Sequence, residues 1–195
     1  MAERTGTRRE EFERLVLPQL DSLLGLALTL TRRREDAEDL VQDAVVRAFR
    51  FFESYAPGTQ LKAWLFRILR NVFIDRYRAA RARPPEIELA ASGRDDEPGI
   101  ERSAEELFLA GELDPEVGAA LAALPEVYRT VVWLALVEEL PYKEIGVTLG
   151  VPTGTVMSRL HRGRRMLQAA LLELARRRGI LRAPPPVVPD GGGAR

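Results

Sequence analysis

The chain has 195 residues with 29 basic and 29 acidic side chains, a length that suits one ordinary domain or two small ones. With no cysteine and a single histidine it forms no disulfide, no thiolate zinc site and no imidazole cage, so most metal and thiol chemistries are excluded and no cofactor is expected. The longest apolar runs, Leu23 to Leu28 and Val131 to Val137, fall short of the roughly 20 residues of a spanning helix, and no signal-peptide core is present, so a soluble cytoplasmic protein is expected.

Neutrality is an average. Residues 1–83 hold 16 basic against 12 acidic side chains, 84–118 hold 2 against 11, and 119–195 hold 11 against 6. Two basic blocks therefore flank an acidic bridge. Residues 9–31 read as a helix interrupted near Pro18, with Phe12, Leu15 and Val16 before it and Leu20, Leu23, Leu24, Ala27 and Leu28 after it at helical spacing. A second amphipathic helix is predicted over 36–52, with Asp36 as N-cap and Leu40, Val41, Ala44, Val45, Ala48, Phe49 and Phe52 as its apolar stripe. A turn at Pro57-Gly58 precedes a helix over 61–81 that Pro84-Pro85 ends. From Pro84 to Asp114 the chain is acidic, rich in turn residues and poor in aromatics, which reads as a linker. Helices are predicted at 115–123, 126–139, 142–149 and 154–178, and the Pro184 to Gly193 stretch reads as a disordered tail. Nothing reads as a strand. The expected fold is all-α, with two small helical domains, a bundle at 1–83 and a helix-turn-helix domain at 115–180, joined by a flexible linker over 84–114 and followed by a tail at 181–195.

Residues 141–165, PYKEIGVTLGVPTGTVMSRLHRGRR, form the most specific local pattern. Ile145 and Leu149 point inward from a short helix, Gly150 ends it, Val151 plugs the corner, and Thr153 or Thr155 starts a second helix with Val156 and Leu160 inward. Thr153, Met157, Ser158, His161, Arg162 and Arg165 are left outward, a face of small polar, Arg and His side chains that fits a DNA major groove. A basic helix face is more often merely solvated; the complete helix, glycine turn, plugged corner and Arg-rich second helix favour recognition.

At 100° per residue the 61–81 helix gathers Leu61, Trp64, Leu65, Ile68, Leu69 and Val72 on a core side. Arg67, Asn71, Arg78 and Arg81 lie opposite, bordered by Arg70, Phe66, Phe73 and Tyr77. Cations beside rings suit a single-stranded nucleic acid, since Arg tracks phosphates while a ring stacks on a base. Phe66 and Phe73 have the alternative of belonging to a wide core stripe. On the 36–52 helix, Asp39, Gln42, Asp43, Arg47 and Arg50 share an exposed face, either solvated or turned to a partner.

EDAEDLVQDAVVRAF (35–49), LKAWLFRILRNVFIDRYR (61–78) and LPEVYRTVVWLALVEELPYKEIGVTLGVPTGTVMSRLHRGRRML (124–167) together resemble the extracytoplasmic function (ECF) sigma factors of bacterial RNA polymerase, across residues 10–178. The text looks closest to the redox-stress group held by zinc-binding anti-sigma partners. The resemblance implies that Asp39, Leu40, Gln42, Asp43 and Arg47 dock on the clamp helices of core polymerase. It implies that the loop from Tyr55 to Leu61, with Gly58 and Thr59, and the helix after it, with Phe66, Arg67, Arg70, Asn71, Tyr77 and Arg78, contact a single-stranded minus-ten element and capture a flipped base. The helix of Thr153, Thr155, Met157, Ser158, Arg159, His161, Arg162 and Arg165 looks like the reader of duplex minus-thirty-five DNA, and the helix near 127–140 like the one that engages the polymerase flap tip. Many relatives carry Arg at the place of Met157 and an aromatic at that of His161.

In this family the linker runs through the RNA exit channel, so Asp95, Asp96, Glu97, Glu101, Glu105 and Glu106 are expected to mimic nucleic acid there, or else simply to solubilise. An anti-sigma factor and a monomeric state are implied as well. The competing reading is a conventional helix-turn-helix regulator that binds duplex DNA without polymerase. An enzyme has no support: no nucleotide-binding glycine loop, no H-E-x-x-H and no carboxylate pair in an apolar pocket is present.

Overall fold

The computed structural model describes residues 2–56, 58–82 and 114–180, all in helices and the turns between them. The predicted linker over 84–114, except its last residue, and the tail at 181–195 lie outside the described residues. Helix α1 (Ala2–Val16) ends where Pro18 withholds an N–H, and a single 3-10 turn, Leu17–Gln19, joins it to α2 (Leu20–Thr31). Helix α2 is buried along most of its length, including every residue from Gly25 to Leu30. It ends at Arg32, whose φ of 63° turns the chain left-handed while its N–H donates to the Leu28 carbonyl.

Helix α3 (Arg34–Phe51) starts two residues before the predicted position, so Asp36 is in its first turn and is not its N-cap; Arg33 holds that place with no side-chain cap. The carboxylates of Glu35 and Asp36 still sit where the helix dipole favours them. Ala37, Leu40, Ala44 and Ala48 make the buried stripe, and its small side chains let α2 lie close. At the far end an aromatic cluster ties α1 to the next connection. Phe12 meets Phe49 edge-on at 5.1 Å and Phe52 at 5.2 Å, Phe52 stacks on Tyr55, and Tyr55 leans on Trp64 at 5.4 Å. Arg8 lies over the Phe49 ring and donates to the Phe49 carbonyl, a cation at the C-terminal end of α3. Helix α4 (Leu61–Ala82) packs against α2 and α3, which completes the first unit.

The second unit opens on Asp114, whose carboxylate accepts the Glu116 N–H at 2.9 Å and caps α5 (Pro115–Ala122). Helix α6 (Glu126–Leu136) is three residues shorter than its predicted span because Val137 to Leu140 form a turn, with Glu139 at φ 53°. Helix α7 (Tyr142–Leu149) ends at Gly150, where φ 62° is left-handed and the Val151 N–H reaches back to the Gly146 carbonyl at 3.0 Å. Helix α8 (Thr153–Arg177) follows, with Pro152 as its N-cap and Thr153 as its first residue, as the sequence predicts. Val156 and Leu160 face inward.

The described residues of the two units pack on each other. Helix α2 lies on α6, α4 lies on α7, and one continuous apolar core runs through both. Arg129 of α6 is its least expected member, 1% exposed and cationic. Its Nε donates to the Thr29 carbonyl at 2.8 Å and its Nη1 to those of Ala122 and Leu124 at 3.1 and 2.9 Å. Burial pushes its pKa down to about 10, with the positive charge of Arg32 adding to the effect, so the guanidinium stays protonated at neutral pH. Among the described residues no helix is long and apolar enough to cross a membrane.

Arg129→Met keeps most of the stem and removes the donors, stranding three buried carbonyls. At roughly 1–3 kcal/mol for a buried group stripped of its partner, denaturant unfolding is expected to show a loss of about 3 kcal/mol. A loss within the ordinary scatter of surface substitutions contradicts this bracing role.

Candidate nucleic-acid interface

Helix α8 presents the predicted face. Thr153, Met157, Ser158, His161, Arg162 and Arg165 are all exposed, Met157 at 54%, while Val156 and Leu160 anchor the opposite side. The Ser158 hydroxyl donates to the Thr155 carbonyl at 3.0 Å, which leaves its lone pairs outward. Thr155 and Arg159 are half-buried at the flank of that face. The surface is a row of donors and one thioether on a rigid helix, and Arg162 and Arg165 supply the guanidinium forks suited to guanine edges or phosphates.

Helix α4 divides less simply. Arg67, Asn71 and Arg78 are exposed and share one face of the helix, and the Tyr77 ring is 56% exposed beside them. Arg81 belongs to the helix, but its side chain lies outside what the structure describes. Phe66 is a correction: it is 0% exposed and part of the core, so its ring offers no stacking face. Phe73 is half-buried against that core. Arg70 is half-buried too, and its pKa is lowered first by burial and then by the like charge of Arg159.

The loop before α4 is stitched to itself. The Tyr55 hydroxyl donates to the Thr59 carbonyl at 3.0 Å, and the Thr59 hydroxyl donates to the Ala56 carbonyl at 2.8 Å. Gly58, at φ 87°, makes the turn, while Gly58 and Thr59 are exposed and Leu61 is half-buried at the helix start. The aromatic stack of Phe52, Tyr55 and Trp64 beneath holds this loop to the bundle.

On α3, Asp39, Gln42 and Asp43 are exposed together. Leu40, placed with them by resemblance, is a second correction: it is wholly buried and faces the core. The cross-helix partners are not legible in the residue pattern. Arg76 of α4 pairs with the Asp43 carboxylate and donates to the Asp39 carbonyl at 2.9 Å, and Arg47 pairs with Asp75 at 2.7 Å. These pairs are exposed, so they contribute at most about 1 kcal/mol each; what they do is fix the carboxylate of Asp43 in one direction.

The chain matches the Sigma-70 region 2 profile over residues 15–83 and the Sigma-70 region 4 profile over 115–167. It is 39% identical over 157 residues to the ECF RNA polymerase sigma factor SigE of Mycolicibacterium smegmatis, covering 80% of this chain and 60% of that protein. It is 32% identical over 163 residues to the ECF RNA polymerase sigma factor SigW of Bacillus subtilis, covering 79% of this chain and 85% of the relative. Among solved structures it resembles the sigma factor RpoE of Bartonella quintana, crystallised with the anti-sigma factor NepR, with a TM-score of 0.62, 30% identity and coverage of 83% and 97% of the two chains. The exposed helix-turn-helix face and the α4 surface thus stand on a recognised pair of sigma regions. The chain belongs to the ECF sigma factors, the promoter-specificity subunits of bacterial RNA polymerase.

Phe66→Ala distinguishes a core ring from a stacking ring without any DNA present. A buried Phe lost from a packed core costs about 3–5 kcal/mol, so thermal unfolding is expected to fall sharply. Parental stability combined with weakened single-strand binding contradicts the core placement.

Proposed function

We propose that the division of labour among the exposed and half-buried residues is as follows. Arg162 and Arg165, with Thr153, Thr155, Met157, Ser158, Arg159 and His161, read the duplex minus-thirty-five element from α8. Arg67, Asn71, Tyr77 and Arg78 on α4, with Arg70 and the loop of Tyr55, Gly58, Thr59 and Leu61, hold the separated minus-ten strand. Asp39, Gln42, Asp43 and Arg47 on α3 dock on the polymerase clamp helices, and α6 on the flap tip. The chain acts as a monomer within the polymerase.

The observation that carries this reading is the exposed row of Arg67, Asn71 and Arg78 in a chain that also exposes a basic helix-turn-helix face. A conventional duplex-binding regulator has use for the second surface alone. Strand separation costs a few kcal/mol of unstacking for a flipped base, which contacts from a preformed loop and a donor such as the Asn71 amide offset. The work is recognition and strand capture; no bond is made or broken by the protein. The chain is held silent by an anti-sigma factor, as its likeness to an RpoE seen with one supports, and the zinc-binding type of partner fits a chain that has no cysteine of its own.

Three substitutions test the assignment in reconstituted transcription. Asn71→Ala is expected to cut open-complex formation about tenfold with unchanged affinity for core polymerase, a loss of roughly 1.4 kcal/mol. Arg162→Ala is expected to weaken use of the upstream element by about 1–3 kcal/mol and to relax its sequence preference. Asp43→Ala is expected to do the reverse, reducing polymerase affinity while leaving the promoter sequence preference intact. Loss of polymerase binding in either of the first two contradicts the assignment.

A further inference from the structure

Two residues near the start of α8 are explained by nothing inside the molecule. Gly154 is exposed, its φ is not left-handed, and a Cβ built there would meet nothing within 4 Å. Other glycines have a reason in the fold. A Cβ at Gly25 would stand 2.3 Å from the Trp133 ring and one at Gly163 would stand 2.6 Å from Val132, while Gly150 needs its φ of 62°. Glycine is a poor helix former, so a bare backbone at an open helical position suits a partner that comes close to it from outside. Met157, one turn further on, is 54% exposed and is the one large apolar side chain left in solvent between Thr153 and Arg165. A single exposed apolar residue is ordinary by itself; this one borders the bare spot on the face that the helix-turn-helix turns outward.

Around the helix, Met157 and Ser158 lie about 60° and about 40° from Gly154, on its two sides. They form a notch where one methyl group is missing, with a thioether as one wall and a hydroxyl as the other. The Ser158 hydroxyl donates its proton to the Thr155 carbonyl at 3.0 Å, so it offers only lone pairs outward. The helical neighbours of Met157 one turn away are Thr153, Gly154, Leu160 and His161, so no arginine fork stands beside it. An apolar notch next to an acceptor matches one of the natural base pairs. In the major groove thymine shows its C5-methyl and the paired adenine shows an amino donor at N6. Guanine shows two acceptors, which repel the Ser158 lone pairs, and cytosine has an amino donor but no methyl. The first turns of the second helix are the ones that meet base edges in a helix-turn-helix.

We propose that Gly154, Met157 and Ser158 form a thymine-reading site: the methyl of one thymine enters the notch against the Met157 thioether, while the Ser158 oxygen accepts from the amino group of the paired adenine. The inference rests on the reading of α8 as the helix that enters the duplex upstream element, and it adds the identity of one base pair there.

The test uses holoenzyme assembled from the full chain and purified core polymerase, on templates whose upstream element has been selected from random duplex. Each thymine of that element is replaced in turn by uracil, which keeps every hydrogen-bonding group and lacks only the methyl. At one position uracil is expected to lower transcript yield at limiting holoenzyme about fourfold, the effect of one buried methyl group. At that position 5-methylcytosine is expected to be used better than cytosine, because its methyl stands where that of thymine does. Both differences are expected to vanish in Met157→Ala, which removes the thioether wall, and in Gly154→Ala, which fills the notch. Both positions are open to solvent, so each variant is expected to keep its helical ellipticity. Yield that depends on the upstream element but is indifferent to uracil at every position overturns the thymine site and leaves the assignment of α8 standing. A uracil penalty undiminished in both variants overturns the assignment to these residues. Polymerase-dependent transcripts indifferent to the whole upstream element overturn the reading of α8, and this site with it.

Discussion

A single guanidinium holds the middle of this molecule. Arg129 donates to carbonyls at 29, 122 and 124, so one buried cation braces the turn between α5 and α6 and at the same time reaches the end of α2, 100 residues earlier in the chain. Burial lowers its pKa to about 10 yet leaves it charged at neutral pH. The neighbouring Trp133, Glu138 and Lys62 extend that constraint along the same face of α6. The helix-turn-helix depends on it, since α8 is packed on α6. The packing closes the middle of α6 to solvent, from Arg129 to Leu134, and leaves Glu126, Val127 and Leu136 exposed near its ends.

Much of this was legible in the residues. Pro18, Gly58 and Gly150 punctuate the chain where the helices break, because each changes the backbone itself and needs no tertiary partner. The two faces of α8 follow from a 3.6-residue period imposed on one core contact. Helix α4 is harder because it packs against α2 and α3 and also against α7, so more than one stripe is buried and the ring of Phe66 goes into the core. Leu40 shows the opposite limit. Its place in the apolar stripe was right, and carrying it into a docking surface by resemblance set aside that stripe.

Long-range electrostatic partners were not legible at all. Asp43 and Arg76, Arg47 and Asp75, and Lys62 and Glu138 are 33, 28 and 76 residues apart, and no local pattern distinguishes a carboxylate that meets a cation from one that meets water. The seam between the two units was hidden for the same reason. An acidic, turn-rich stretch of sequence reports a covalent connection and says nothing of whether its ends come together, whereas Gly25 opposite Trp133 is a fit visible only in three dimensions.

The account stands or falls on whether one chain endows polymerase with two-element recognition. The direct measurement is transcription by purified bacterial core polymerase from a randomised promoter library, with and without the protein. Discrete transcripts that appear only with it, from templates sharing two short elements at a fixed spacing, are the predicted result. A protein that selects a palindrome on its own, and never co-migrates with core polymerase, contradicts the account and returns the exposed row on α4 to an ordinary solvated helix face.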